Sequence, residues 1–275
     1  MQYSTPHRPG AARHGENFKV RQYSRQAFAG LADPVLQVDW FEMAGPTFPP
    51  HPHAGFSAVT YLFEDSGNGF INRDSMGNQC EIPAGAMHWS RASRGLVHEE
   101  FPIPGKGPVK GLQIFINIPE AYQLDPPAAF HVPEDDMEPL VGEGWISRVA
   151  VKGTTLAGDR EALPAPVLIE ETRIAGYKER AFDVPTGWGG LIILLEGTAT
   201  LMGGPELQAQ QAIAFKAEEN EQLVVKGASA DVRFVIIAGK RTNQPAFQHG
   251  PLTMASAELL QGRLESLNRG EFGTI

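Results

Sequence analysis

Residues 50–56 read Pro-His-Pro-His-Ala-Gly-Phe, and residues 95–100 read Gly-Leu-Val-His-Glu-Glu. Each segment carries two side chains that can bind a metal, and one residue separates the two. Because alternate residues of a β-strand point to the same face, each pair shares a face if its segment is a strand. The residues between the segments suffice for several strands, so the two pairs can face each other across a small barrel. The pattern predicts a metal site with the ligands His51, His53, His98 and Glu100.

Strand phase also separates these ligands from their neighbours. Glu99 falls on the opposite face from Glu100, and we expect its carboxylate to be solvated. His88 lies between the two segments. It is interpreted either as a group that supports the metal ligands or as an ordinary core histidine. Cys80, the single cysteine, is interpreted as an ordinary half-buried residue because no basic residue adjacent in sequence lowers its pKa.

The ligand set limits the metal without naming it. Three neutral imidazoles and one carboxylate suit Fe(II), Mn, Ni, Cu or Zn. Four protein ligands on one side of an ion leave coordination positions open, which permits chemistry, whereas a closed tetrahedral site would only brace the fold.

The rest of the chain has the rhythm of an all-β protein. Short apolar runs, such as residues 58–63, 109–118, 190–195 and 232–237, are separated by Gly, Pro, Asn or Asp. This spacing is typical of a β-sandwich or β-barrel with tight turns. Only residues 254–267 differ, because their leucines recur at helical spacing and predict a C-terminal helix.

The two halves of the chain also resemble each other at a shift of roughly 130 residues, which indicates a duplicated β-domain. We predict an N-terminal barrel over residues 1–140 that carries the metal site. The second barrel, over residues 141–275, ends in the helix. On this alignment Val225 corresponds to His98 and Gly227 corresponds to Glu100. The second barrel is therefore expected to lack a metal site.

Composition excludes several functions. A formal net charge of −9 over 275 residues argues against a surface that binds nucleic acid directly. No stretch approaches 18 apolar residues, and the first residues include no apolar segment of a signal peptide. We therefore expect a cytoplasmic protein that does not contact membranes.

Several segments, in order along the chain, resemble the pirin family of the cupin superfamily. They are residues 33–36, 50–56, 59–62, 73–78, 94–98, 111–119, 122–123 and 249–252. The resemblance implies two tandem cupin barrels of the jelly-roll type, with iron in the N-terminal one. It carries the family's ligands onto the same four residues that strand phase selects, His51, His53, His98 and Glu100.

The sequence departs from the family pattern near the site. Ala54 stands where the family usually has Arg, and Asn72 stands where it has His. Residues 88–95, which begin with His88, replace the family's Gln-Trp-Met-Thr-Ala-Gly-Arg-Gly segment.

The resemblance implies two alternative functions. Bacterial pirins are similar to quercetin 2,3-dioxygenase, which opens a flavonol ring with O₂ and releases carbon monoxide. In that case Fe(II) binds the substrate and Glu100 removes its hydroxyl proton. Other pirins resemble metal- and redox-dependent regulators that bind a transcription factor or a metabolic enzyme. A monomer is expected in either case.

Overall fold

The computed structural model describes the backbone of residues 1–275 and the side chains of all of them except residue 161. The described residues form 26 strands and one α-helix. The first thirteen strands are β1 (Gln2–Tyr3), β2 (Ala12–His14), β3 (Phe18–Ser24), β4 (Val35–Met43), β5 (His51–His53), β6 (Phe56–Leu62), β7 (Phe70–Asp74), β8 (Gln79–Ile82), β9 (Met87–Arg91), β10 (Leu96–Pro102), β11 (Val109–Asn117), β12 (Ala128–Val132) and β13 (Pro139–Gly142). The others are β14 (Trp145–Gly153), β15 (Thr155–Leu156), β16 (Arg160–Glu161), β17 (Val167–Ala175), β18 (Glu179–Val184), β19 (Trp188–Glu196), β20 (Thr198–Leu201), β21 (Glu206–Gln208), β22 (Ala212–Lys216), β23 (Glu221–Gly227), β24 (Asp231–Lys240), β25 (Phe247–His249) and β26 (Leu252–Met254). The helix α1 is Ala257–Asn268, and short 3-10 turns are Arg25–Phe28, Glu120–Tyr122 and Glu134–Asp136.

The chain divides into two compact units, each drawn from more than one segment. The first unit comprises Ala11–Gln22, Gln37–Glu134 and Thr242–Ile275. The second unit comprises Met1–Gly10, Tyr23–Leu36 and Asp135–Arg241. The predicted domain boundary at residues 140 and 141 stays a prediction, because compact units and sequence domains need not coincide.

The first unit contains two large antiparallel sheets and the two-stranded sheet β25-β26. One has the strand order β5-β10-β7-β8, and the other has the order β12-β9-β6-β11-β4-β3-β2. Their inner faces meet in an apolar cluster at one end of the barrel, as expected for a jelly roll. The buried members of this cluster are Phe18, Val20, Phe41, Met43, Leu62, Phe70, Ile82, Ala86 and Val109.

The second unit repeats the arrangement, with sheets of order β18-β23-β20-β21 and β1-β22-β19-β24-β17-β14-β15-β16, where β13 also pairs with β14. Strand register confirms the alignment predicted between the two halves. Gly227 pairs with Ala199 between β23 and β20, at the place where Glu100 pairs with Asn72 between β10 and β7. The predicted all-β fold of two tandem jelly-roll barrels is therefore confirmed.

The predicted C-terminal helix is also confirmed, as α1. Ser256 caps its first turn, since the Oγ accepts a hydrogen bond of 3.1 Å from the Leu259 amide. The leucines at helical spacing pack on an apolar cluster of the first unit formed by Ala54, Leu252, Met254 and Phe272. Among the described residues, no helix combines the length and the apolar character needed to cross a membrane.

Candidate metal centre

Three histidines converge on one point of the first unit. His51 and His53 lie on β5, and His98 lies opposite His51 on the adjacent antiparallel strand β10. The ring centroids are 4.7 to 4.9 Å apart, and one ring nitrogen from each lies within 4.8 Å of the others. The prediction that the two ligand pairs face each other across the barrel is wrong. They are neighbours in one sheet, because β10 returns beside β5 and aligns their inward faces.

Backbone carbonyls orient two of the rings. Nδ1 of His51 lies 2.9 Å from the Pro49 carbonyl oxygen, and Nδ1 of His53 lies 3.3 Å from that of Pro251. A carbonyl can only accept, so each Nδ1 carries the hydrogen and each Nε2 keeps its lone pair. Nε2 of His53 and both ring nitrogens of His98 are buried without a hydrogen-bond partner among the described residues. Such nitrogens are costly to bury, and this group of three therefore fits a metal ion.

Burial keeps these imidazoles neutral. It lowers the pKa of His53 to about 3, and it lowers the pKa of His98 well below the usual value. The pKa of His51 is lowered as well, chiefly by burial. Because a metal ligand must offer a lone pair, neutral rings at physiological pH suit metal binding.

Glu100 lies on the same inward face of β10, two residues after His98. Its Oε1 accepts a hydrogen bond of 2.6 Å from the Thr60 hydroxyl on β6. Burial raises the pKa of Glu100 to about 7, while the Thr60 hydrogen bond opposes that rise. Among the described residues, the carboxylate does not join the three histidine nitrogens within 4.8 Å of one another, so its place as fourth ligand stays a prediction.

Glu99 points away from the site, as strand phase predicted, but the expectation that it is solvated is wrong. It is 8% exposed and forms an ion pair with Arg73, its cross-strand partner on β7. A directly opposed basic residue on the outer face of the sheet explains why this carboxylate can be buried.

A layer of polar side chains lies inside the barrel beside the histidines. On one sheet Thr60 is opposite His88 and Gln113, and on the other Asn72 is opposite Glu100 and Cys80. Residues directly opposite in antiparallel strands share a face, which places all of them inward. The polar layer therefore consists of Thr60, Asn72, Cys80, His88, Glu100 and Gln113.

Two of the family departures fall in the polar layer. Asn72 is fully buried beside the Cys80 thiol, and within the described part of the chain its amide has no oxygen or nitrogen as a hydrogen-bond partner. His88 is 3% exposed and faces inward. The sequence analysis did not identify Thr60 and Gln113 as residues of the site. The one threonine in the apolar run 58–63 could have indicated Thr60, because a polar side chain in such a run is unusual.

The segment that follows His53 is held in place by close backbone contacts. Gly55 has a φ of +85°, and a Cβ there would lie 1.8 Å from the Thr253 carbonyl oxygen, so only glycine fits. The buried Gln123 amide donates to the Gly55 carbonyl oxygen and accepts from the Ala255 amide. Ala54, another family departure, is fully buried in the apolar cluster under α1.

Comparison with known proteins agrees with this geometry. The family model described as Pirin matches residues 9–116, and the model described as Pirin C-terminal cupin domain matches residues 170–273. A Pseudomonas aeruginosa protein named "Putative quercetin 2,3-dioxygenase PA3240" is 28% identical over 251 residues, covering 86% of each chain. Pirin-1 of Arabidopsis thaliana is 29% identical over 255 residues, covering 89% of this chain and 85% of its own.

Solved structures show the same fold. A quercetin 2,3-dioxygenase from Acinetobacter baumannii superposes with a TM-score of 0.85 at 22% identity, covering 100% of this chain and 99% of its own. The Escherichia coli pirin YhhW in complex with nickel(II) has a TM-score of 0.67 at 15% identity, covering 86% of this chain and 99% of its own. The two family models together span most of the chain, and the chain therefore belongs to the pirin family.

Proposed function

We propose that this chain is a metal-dependent dioxygenase that uses O₂ to open a flavonol such as quercetin, or a related enolisable aromatic compound. The observation that carries this proposal is the group of three histidines whose ring nitrogens converge while several remain buried without partners. The name of the Pseudomonas relative, which matches over most of both chains, supports the substrate class.

The proposed ligands are His51, His53, His98 and Glu100, and the proposed ion is Fe(II). Mn, Ni, Cu and Zn also suit nitrogen and carboxylate ligands, and the Escherichia coli pirin holds nickel(II). When bound, the ion supplies a Lewis acid for the substrate hydroxyl oxygen and redox chemistry toward O₂.

The chain's own residues supply the proton transfer. Glu100 is proposed to accept the proton of the substrate's enolic hydroxyl, as a carboxylate base inside the barrel. Its hydrogen bond from Thr60 fixes the orientation of the carboxylate. The Asn72 amide faces the Cys80 thiol, its cross-strand partner, and its oxygen has no hydrogen-bond donor among the residues described, so that oxygen is available to accept a hydrogen bond from a polar substrate.

Aromatic side chains lie beside the proposed ligands. The ring of Phe56 lies 5.2 Å from that of His53, and the ring of Phe115 lies 5.7 Å from it. The two phenylalanine rings are themselves 5.0 Å apart. Such a pair beside the proposed ligands favours an aromatic substrate over an aliphatic one.

The decisive experiment is quercetin-dependent O₂ uptake by protein loaded anaerobically with Fe(II). We expect uptake together with release of carbon monoxide, and both should be lost in His53→Ala. The surface substitution His14→Ala is the matched control, since this histidine is exposed.

Absence of O₂ uptake at full iron occupancy would refute the proposed dioxygenase activity. The alternative function is then the metal- and redox-dependent regulator, in which a protein partner replaces the small substrate. The polar layer favours the enzyme, because a site that only senses the metal needs no buried polar groups beyond its ligands. The predicted cytoplasmic localisation and monomeric state stay predictions.

A further inference from the structure

A second group of potential metal ligands lies in the first unit, apart from the histidines of the proposed active site. One ligand atom each from Cys80, His88 and His131 lies within 4.8 Å of the other two. The Cys80 Sγ is 3.6 Å from Nδ1 of His88, and the rings of His88 and His131 are 6.3 Å apart. Cys80 and His88 belong to the polar layer, but the proposed function gives none of the three residues a part in ligating its metal ion or in proton transfer.

The group lies where the edges of the two sheets meet. Cys80 is on β8, the outermost strand of the four-stranded sheet, and His131 is on β12, the outermost strand of the seven-stranded sheet. His88, on the neighbouring strand β9, is directly opposite His131. Cys80 and His131 are half-buried, whereas His88 is 3% exposed. An ion could therefore reach the group from the side of the barrel, between the two edge strands.

We propose that Cys80, His88 and His131 form a second metal site, which takes a divalent ion of the zinc type through one thiolate and two imidazoles. Thiolate ligands select zinc or copper(I) over the harder ions that carboxylates prefer. Three protein ligands leave a fourth position for water.

The separation of the sulfur and the nitrogen fits this proposal. With Zn–S near 2.3 Å and Zn–N near 2.05 Å, two ligands of a tetrahedral ion lie about 3.6 Å apart, which matches the distance between Cys80 and His88. The same distance also permits a weak S–H···N hydrogen bond between this pair. Ligation through Nδ1 and this hydrogen bond both leave Nε2 of His88 buried without a hydrogen-bond partner in the described part of the chain, so the two are distinguished by thiolate absorption rather than by geometry.

The protonation states are compatible with metal binding. Burial lowers the pKa of His88 to about 4, so this ring is neutral at physiological pH. Burial, together with the negative charges of Glu100 and Asp74, raises the pKa of the Cys80 thiol. Binding therefore replaces the S–H bond with an S–metal bond and releases one proton to solvent, with no change in oxidation state.

The test is a titration of the metal-free protein with Co²⁺, which reports thiolate ligation through near-ultraviolet charge-transfer absorption. We expect two equivalents to bind, one of them with this absorption. Cys80→Ser should lose the absorption and one equivalent, whereas His51→Ala should lose one equivalent and keep the absorption. His14→Ala, at an exposed histidine, is the control and should keep both equivalents of Co²⁺ and the thiolate absorption.

His131→Gln provides an independent variant, since this half-buried residue lies on an edge strand. We expect it to weaken the same equivalent, and Zn²⁺ should raise the melting temperature of His51→Ala more than that of His51→Ala combined with Cys80→Ser. A single equivalent without thiolate absorption in the wild type would overturn the proposal and leave only a hydrogen-bonded Cys–His pair. Thiolate absorption that survives in Cys80→Ser would also overturn it.

Discussion

The Thr60 hydroxyl donates a hydrogen bond of 2.6 Å to the Glu100 carboxylate, and this bond joins the inner faces of two different sheets. Thr60 Oγ1 also lies 2.9 Å from Oε1 of Gln113. A hydroxyl carries one hydrogen, so Thr60 can donate to only one of these oxygens at a time. Since a charged acceptor makes the stronger bond, the carboxylate is the favoured partner.

Thr60→Val keeps the shape of the side chain and removes this donor. We expect the free energy of unfolding to fall by about 1.5–3 kcal/mol, the contribution of a hydrogen bond to a charged buried group. Denaturant unfolding near pH 8 measures it. Thr5→Val, at an exposed threonine, should change the value by less than about 0.5 kcal/mol. An equal loss in both variants would contradict the role given to this hydrogen bond.

Glu100→Gln separates proton transfer from metal binding. The amide retains an oxygen that can face the ion but cannot accept the substrate proton. We expect the iron content to remain near that of the wild type and kcat to fall by about 10²–10⁴-fold, the usual contribution of a general base. Steady-state O₂ uptake at matched iron occupancy is the measurement. Full turnover with iron bound would remove Glu100 from the role of base.

Strand phase was enough to select the candidate ligands, because a period of two decides which side chains share a face. The duplication was also readable, since its halves keep one shift along their length. The pairing of β10 with β5 could not be predicted from the sequence, because it depends on contacts between segments that are distant along the chain. For the same reason Glu99 was misjudged, because its partner Arg73 comes from another strand.

The proximity of Cys80 to His88 and His131 was equally hidden. These residues belong to two sheets and meet only at the sheet edges, which no local pattern reports. The absence of a basic neighbour in sequence led to Cys80 being interpreted as an ordinary half-buried residue. In the structure its neighbour is an imidazole contributed by the opposite sheet.

The glycine after the β5 ligands should be sensitive to substitution for steric reasons. In Gly55→Ala the new Cβ would meet the Thr253 carbonyl oxygen, whereas in Gly77→Ala it would meet nothing within 4 Å. The φ angle is +85° at Gly55 and +88° at Gly77, so an alanine adds a similar backbone strain of about 1–2 kcal/mol at either position. Gly55→Ala should lose at least a further ~2 kcal/mol of stability and bind metal more weakly, because the backbone beside His53 must move. Calorimetry of both variants measures it, and equal losses would refute the steric explanation.

Asp39 should make stability depend on pH. Burial raises its pKa to about 6, although hydrogen bonds from Gln22 and Gln37 oppose the rise. The folded state thus holds this proton more tightly than the unfolded chain does, whose Asp pKa is near 3.9. This stabilisation is complete below pH 4 and is lost as pH rises through 6.

Asp39→Asn stays neutral throughout this range. Its stability relative to the wild type should therefore rise by about 2 kcal/mol between pH 4 and pH 7. Denaturant unfolding at several pH values measures the difference, and Asp135→Asn, at an exposed carboxylate, is the control. A difference that does not change with pH would show that Asp39 is not the group responsible.

The second unit contains a buried ion pair whose disruption should be severe. Nε of Arg233 lies 2.6 Å from the Glu171 carboxylate, and the two side chains are 4% and 3% exposed. Arg233→Met leaves that carboxylate buried without this guanidinium, so we expect the free energy of unfolding to fall by about 3–5 kcal/mol.

Lys178→Met is the control. It breaks an exposed pair with Glu143 and should lower the free energy of unfolding by less than about 1 kcal/mol. Adding Glu171→Leu to Arg233→Met removes the buried carboxylate that lost the Arg233 guanidinium, so chemical denaturation should then show part of the stability restored. A double variant no more stable than Arg233→Met would mean that the loss comes from packing rather than from the charge.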